Sequence, residues 1–85
     1  MNRALDRRDW YGIGKKQGIR AGKLGGEIQQ HQQDFFDEEE NTAWIDGVLE
    51  GVLSVGGRIA AVTSVQDVMP GSKGGLIQVI IVERH

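Results

Sequence analysis

The clearest alternation of apolar and polar residues lies in the middle of the chain. Apolar residues from Trp44 to Leu53 recur every three to four positions, which is the spacing of one broad helical face. Asp37, followed by three glutamates, predicts the helix start, because a side-chain cap and negative charge both stabilise a helix N-terminus. The Gly56-Gly57 pair predicts its end, since glycine adopts the left-handed conformation that closes many helices. The sequence therefore predicts a helix over about 38–55.

Two segments rich in β-branched residues follow this helix. Residues 58–66 and 76–83 are separated by a stretch that contains Pro70-Gly71, a pair typical of turns. The second segment is apolar at nearly every position, as in a strand that is covered on both faces. We expect an antiparallel hairpin over about 58–66 and 76–83. Its loop is longer than the usual length of about two to five residues.

The first 36 residues fit two interpretations. Glycine recurs at every fourth position, which on a helix forms one slowly drifting stripe, and the residues involved are Gly14, Gly18, Gly22 and Gly26. This spacing favours a helix over about 9–35, so that two helices precede the hairpin in an α+β fold. In the alternative interpretation, residues 27–36 form a first strand and the order is β-α-β-β.

The glycine stripe also predicts how the first helix packs. Each glycine costs a helix about 1 kcal/mol relative to alanine, so such a helix must dock on another surface to be stable. Glycines leave a smooth groove that a second backbone can approach, and the second helix has a matching row of small residues at Ala43, Gly47 and Gly51. We expect close helix–helix packing, within the chain or between chains; a flexible linker is the competing interpretation.

Length and composition predict one small domain, residues 1–85, that assembles with further copies. A chain of 85 residues buries only about 60–65% of its unfolded surface, which gives a marginal core. The chain has no cysteine, so disulfides and thiolate metal sites are excluded. A partner chain is the remaining route to stability. We therefore expect a homo-oligomer, a dimer or higher, with a two-fold dimer as the default form.

The hydropathy of the chain predicts no membrane partner. No apolar run approaches the roughly 20 residues of a membrane-spanning helix. The N-terminus is charged and lacks the apolar region of a signal peptide. The expected location is the cytoplasm.

Charge divides the chain into two blocks of opposite sign. Residues 1–26 carry seven basic and two acidic side chains, a net charge of +5. Residues 27–85 carry three basic and ten acidic side chains, a net charge of −7, and the overall charge of −2 hides this division. A basic, glycine-rich segment beside an acidic body indicates a charged partner.

The basic segment contains the residues that we expect to contact an anionic ligand. Lysine and arginine bind phosphate through charge-assisted hydrogen bonds, and the planar fork of arginine makes Arg20 the central residue of the hypothesis. Aromatic rings beside these cations would stack on nucleotide bases. The competing interpretation is a solvated basic face, with the aromatic residues anchoring the N-terminus. The candidate ligand-binding residues are Arg7, Arg8, Trp10, Tyr11, Lys15, Lys16, Arg20 and Lys23.

No residue pattern typical of an enzyme is present. No serine has a histidine at a suggestive spacing, and we expect no catalytic residues, no metal and no cofactor. We expect a non-catalytic, homo-oligomeric binding protein for an anionic small molecule of nucleotide type, such as a phage- or bacterium-encoded accessory factor that sequesters a signalling nucleotide. Nucleic acid fits less well, because the acidic body repels a long polyanion. The alternative function is a protein–protein adaptor or inhibitor that docks through the glycine-stripe helix and takes no small ligand.

Overall fold

A pair of helices lies on one face of a three-stranded sheet in the computed structural model, which describes residues 6–72 and 74–85. Strand β3 is the middle strand and pairs antiparallel with both neighbours, in the order β1-β3-β2. A short 3₁₀ turn, Gln32–Asp34, connects β1 to the second helix. The elements are α1 (Arg7–Leu24), β1 (Gly26–His31), α2 (Glu38–Ser54), β2 (Arg58–Gln66) and β3 (Leu76–Glu83).

This architecture confirms the predicted α+β class, the second helix and the hairpin, and it corrects the first helix. The predicted helix over about 9–35 ends at Leu24 instead, because Gly25 and Gly26 adopt φ angles of 75° and 125° that leave the helical region. The residues that follow form β1 and pair with β3. The alternative interpretation expected a strand at about 27–36; the observed strand covers part of that range and follows the first helix instead of replacing it.

Aspartate caps begin both helices. The Asp37 carboxylate accepts a hydrogen bond from the Glu40 N–H at 3.0 Å, as the acidic run in the sequence predicted. Asp6 caps α1 in a reciprocal arrangement, because its side chain accepts from the Asp9 N–H at 3.1 Å and the Asp9 side chain accepts from the Asp6 N–H at 3.0 Å. These bonds satisfy N–H groups that have no partner inside the helix.

The core lies between the helix pair and the inner face of the sheet. Ile28 on β1 faces Ile80 on β3 across the ladder, and both are buried. The aromatic part of the core stacks from α1 to α2: the Trp10 and Phe35 rings are 4.6 Å apart, and the Phe35 and Trp44 rings are 5.8 Å apart. The buried residues are Trp10, Ala21, Ile28, Phe35, Trp44, Val48, Val52, Ile80 and Val82.

The two helices meet backbone to backbone along the glycine stripe. A Cβ atom at Gly18 would collide with the Val48 carbonyl oxygen and would lie 3.0 Å from the Val48 Cα. From the other side, a Cβ atom at Gly51 would collide with the Lys15 carbonyl oxygen. Gly14 and Gly47 are confined by backbone carbonyl groups in the same way, whereas a Cβ atom at Gly22 would first meet the Val55 side chain at 2.6 Å. The predicted close packing is confirmed for Gly14, Gly18 and Gly22, which pack against α2 of the same chain. It is wrong for Gly26, which begins β1 and would have no neighbouring atom within 4 Å of a Cβ.

We expect Gly18→Ala to destabilise the protein and Gly12→Ala to stabilise it. The methyl group of an alanine at position 18 would force the two backbones apart. We expect the free energy of unfolding to fall by about 1–3 kcal/mol or more, as in overpacked cores. Gly12 lies on the same helix, but a Cβ atom at this position would have no atom of another element within 4 Å. The same substitution there should raise the free energy of unfolding by about 1 kcal/mol, because alanine is the better helix former. Urea unfolding of both variants measures the difference, and equal stability of the two would contradict the close packing.

Candidate functional site

The outer side of α1 carries a row of exposed cations, which we call the basic face (Lys16, Arg20 and Lys23). The three residues follow at spacings of four and three, so they lie on consecutive turns of one side of the helix. The glycine stripe occupies the opposite side against α2. Within the part of the chain that the structure describes, none of the three forms an ion pair with a carboxylate. Their charges therefore remain available to an anion from solvent.

The remaining predicted cations are placed less favourably. Arg7 forms an ion pair with Glu39 at 2.9 Å, and Arg8 approaches the Asp6 carboxylate at 3.8 Å. Both arginines therefore have an acidic neighbour that an incoming anion would have to displace. Lys15 is half-buried at the α1–α2 contact and lies on the edge of the basic face.

Trp10 is not a ligand-binding residue, and this corrects the sequence interpretation that grouped it with the site. Its side chain is only 6% exposed, and its indole N–H donates a hydrogen bond to Glu40 Oε1 at 3.1 Å. A ring held in the core in this way cannot stack on a nucleotide base. The position of Trp10 in the core agrees with the competing interpretation, in which this residue anchors the N-terminal segment.

Tyr11 lies in a shallow depression at the start of α1. The depression has a volume of about 570 Å³ and is lined by Asp6, Arg7, Arg8 and Tyr11. The hydrogen bond from the Asp9 N–H holds the pKa of Asp6 below its usual value, so a carboxylate lies beside the two arginines. The mixture of charges makes this end of α1 a poorer anion site than the basic face.

A cleft at the other end of α1 extends the basic face toward the sheet. It has a volume of about 490 Å³ and lies between the end of α1 and β1. Arg20 borders it, so one guanidinium group belongs to both the basic face and the cleft. The lining residues are Gln17, Arg20, Ala21, Leu24, Gly25, Gly26, Glu27, Ile28 and Gln29.

The polar groups of this cleft are of two kinds. Gln17 Oε1 accepts a hydrogen bond from the Trp44 indole at 2.7 Å, which orients the amide and leaves its NH₂ group as a donor beside Arg20. Glu27 adds a carboxylate, which accepts from Gln29 Nε2 at 2.8 Å. The cleft thus combines donors for an anionic group with an acceptor for hydroxyl or amino groups.

A hydrogen-bonded pair of His31 and Asp67 lies outside this site and was not predicted. His31 Nε2 and Asp67 Oδ2 are 2.8 Å apart, and the Asp67 side chain is buried. The hydrogen bond with His31 lowers the pKa of Asp67, against the opposing effect of burial. The pair joins the end of β1 to the loop after β2, which is a structural role. The two residues are 36 positions apart in the sequence, so no local pattern indicates that they meet. The pairing of the strands brings them together.

Residues 6–72 and 74–85 contain neither a metal-binding cluster nor a membrane-spanning helix. No group of three or more histidine, aspartate or glutamate side chains gathers there in a way that could hold a metal ion. Neither helix combines the length and the apolar character needed to cross a bilayer.

Comparison with known proteins gives no relative: no family model, no curated protein and no solved structure matches this chain.

Asp67→Asn should destabilise the protein at neutral pH and have a smaller effect in acid. The folded state lowers the pKa of Asp67 below 3.8, so the ionised carboxylate stabilises the fold above that pH. This contribution is lost as the pH falls from about 3.8 through the lower pKa of the folded state. Thermal melts of the variant and the wild type between pH 7 and pH 2 measure it. Asp46→Asn, at an exposed position on α2, is the control; a constant difference between Asp67→Asn and wild type across this range would refute the account.

Proposed function

We propose that this chain is a small, non-catalytic, homo-oligomeric binding protein of the cytoplasm that holds an anionic ligand of nucleotide type. The observation that supports the proposal most is that the three cations of the basic face lack carboxylate partners among the described residues. Elsewhere in the described chain, Arg7 and Arg58 are both paired with glutamates. The contrast favours a ligand-binding role for the basic face over a purely structural one.

The rigidity of α1 supports binding at this face. Because the helix contacts α2 through its backbone, the positions of its outward side chains are tied to the core. A face that is ordered before binding loses less conformational entropy when a ligand arrives. Arg20 is the strongest candidate of the three, since its guanidinium can form two parallel hydrogen bonds to a phosphate.

The neighbouring cleft favours a nucleotide over a simple anion. A phosphate at Arg20 would leave the rest of the ligand over a cleft of about 490 Å³, which falls in the size range of small-molecule sites. Glu27 could accept hydrogen bonds from sugar hydroxyl or base amino groups, which a bare phosphate lacks. A long nucleic acid is disfavoured, because the net charge of −7 on residues 27–85 repels it.

The non-catalytic part of the proposal follows from the same lining. No serine, threonine, cysteine or histidine is among the residues that line this cleft. Its carboxylate, Glu27, has no described histidine or hydroxyl partner with which to transfer a proton; its neighbour is the Gln29 amide. These groups suit recognition of a ligand more than its conversion.

Arg20→Ala should weaken nucleotide binding at least tenfold while leaving the melting temperature nearly unchanged, because the side chain is exposed and forms no ion pair within the described chain. Isothermal titration calorimetry against cyclic and linear nucleotides, with inorganic phosphate as a separate titrant, measures the change. Arg58→Ala is the matched control, since Arg58 is also exposed but is paired with Glu83 on another element.

Two results would contradict the proposal. One is the absence of binding for every nucleotide up to millimolar concentration. The other is equal binding by the wild type and Arg20→Ala, which would move the site elsewhere. If single-stranded DNA binds more tightly than any nucleotide, with a steep dependence on salt, then the ligand is a nucleic acid and not a small molecule.

The adaptor or inhibitor function is the second candidate. The surface that it was expected to use, the glycine stripe, is packed against α2. A partner protein would therefore need another surface. Exposed apolar residues on α2 and β2, among them Leu53 and Val62, are the specific observation that favours a protein contact.

A further inference from the structure

Strand β2 is an edge strand that is exposed to solvent on both faces. It lies at one end of the order β1-β3-β2, so only one of its two long edges is hydrogen-bonded within the sheet. Eight of its nine residues are exposed, and only Ile59 is partly buried. An edge of this length presents a row of backbone N–H and C=O groups that can pair with another strand.

The helix pair leaves the inner face of β2 uncovered. Val62 lies opposite Ile80 in the ladder, and opposed residues point to the same face of a sheet. Ile80 is fully buried beneath the helices, yet Val62 is 54% exposed. On the flank of α2, Leu49 and Leu53 are 42% and 58% exposed.

The outer face of the strand contributes a further apolar side chain. Val65 lies opposite Ile77 and is 45% exposed.

The two edges of the sheet differ in how they are protected. Proteins usually guard exposed edges with charges, prolines, bulges or short strands. β1 has six residues and carries Glu27, whereas β2 has nine and carries no charge or proline after Arg58. The irregularity of β2 lies near its start, between Ile59 and Ala61, and leaves residues 61–66 in regular register. The β2 edge is therefore the one open to strand addition.

We propose that β2 pairs antiparallel with β2 of a second copy across a two-fold axis, so that two sheets become one sheet of six strands. A register centred on Thr63 places each Thr63 beside its own copy and pairs Ala61 with Val65 and Val62 with Ser64. Each pair is uncharged, and its members point to the same face. The two Val62 side chains would lie diagonally across the axis.

The charges around β2 favour a second copy as the occupant. Arg58 at the start of the strand is paired with Glu83, and Asp67 after its end is buried and paired with His31, so the charges next to β2 already have partners within the chain. Between these ends the strand is neutral, so two chains of net charge −2 meet without local repulsion. Leu49 and Leu53 lie on α2, the helix that contacts β2, and each copy would contribute both exposed leucines next to the axis.

This inference specifies the oligomer in the proposed function and does not depend on the ligand. The helix α2 contacts β2, whereas α1 contacts β1 and β3. In the dimer the two α2 helices would lie nearest the axis and the two basic faces farther from it. Each protomer would keep its own ligand site, so we expect one nucleotide per chain.

Val62→Lys should raise the dissociation constant of the dimer at least tenfold. A lysine on each copy would place two positive charges near the axis, and its exposed position lets the monomer keep its fold. Light scattering after size exclusion, at micromolar concentration, should give twice the 9.3 kDa chain mass for the wild type and a single chain for the variant. Leu53→Lys should weaken the dimer in the same direction. Leu24→Lys, at an exposed position on α1, the helix that contacts β1 and β3, should leave the dimer mass unchanged. Because Leu24 borders the ligand cleft, this variant is a control for assembly and not for nucleotide binding.

Hydrogen exchange of the wild type provides a test that needs no variant. The amides of β2 should become more protected as concentration rises through the dissociation constant, while the amides of β1 should not. A monomeric mass at every concentration up to hundreds of micromolar would overturn the inference. So would an oligomer that persists in both Val62→Lys and Leu53→Lys with β2 amides unprotected. Loss of nucleotide binding in an intact dimer would instead refute the proposed function alone.

Discussion

The backbone contact between α1 and α2 is the constraint on which the rest of the structure depends. Four-residue spacing places Gly14, Gly18 and Gly22 on one side of α1. Carbonyl groups of α2 occupy the space that Cβ atoms would need at Gly14 and Gly18, and the Val55 side chain obstructs a Cβ at Gly22. A helix with this many glycines is intrinsically weak, so the contact makes α1 stable as well as oriented. With one side of α1 packed on α2, Lys16, Arg20 and Lys23 on the outer side are exposed to solvent. The basic face is thus a direct consequence of the packing.

The same contact explains why the sheet is covered unevenly. The axes of helices that touch through glycine lie closer together than the usual distance of about 8–10 Å. The pair of helices is therefore narrow and covers less of the sheet beneath it. α1 reaches β1 and β3, α2 reaches the near side of β2, and Val62 remains exposed on the face that should be covered. One side of the molecule therefore carries unpaired charge, and the other carries unpaired backbone and apolar surface. We propose the first as the ligand-binding surface and the second as the contact with another copy of the chain.

The sequence predicted the parts of this structure that depend on local patterns. The aspartate cap, the apolar face of α2, the hairpin and the stripe itself are all readable from spacing. The prediction continued α1 to about residue 35 because the four-residue glycine spacing extends to Gly26. The positive φ angles at Gly25 and Gly26 end the helix instead, and a strand follows. Trp10 was misplaced in the site because its partner, the buried Glu40, is thirty residues away. The Arg7–Glu39 and His31–Asp67 pairs were missed for the same reason: tertiary contacts have no local signature.

The most direct test of the account is a measurement of the helix–helix distance in solution. Nuclear Overhauser effects in ¹³C,¹⁵N-labelled protein report Hα–Hα separations below about 5 Å, which helices separated by ordinary side chains do not show. The account predicts a strong cross-peak between the Hα atoms of Gly18 and Val48, because a Cβ at Gly18 would lie 3.0 Å from the Val48 Cα. Absence of this cross-peak in a folded sample whose intrahelical cross-peaks are present would contradict the central claim.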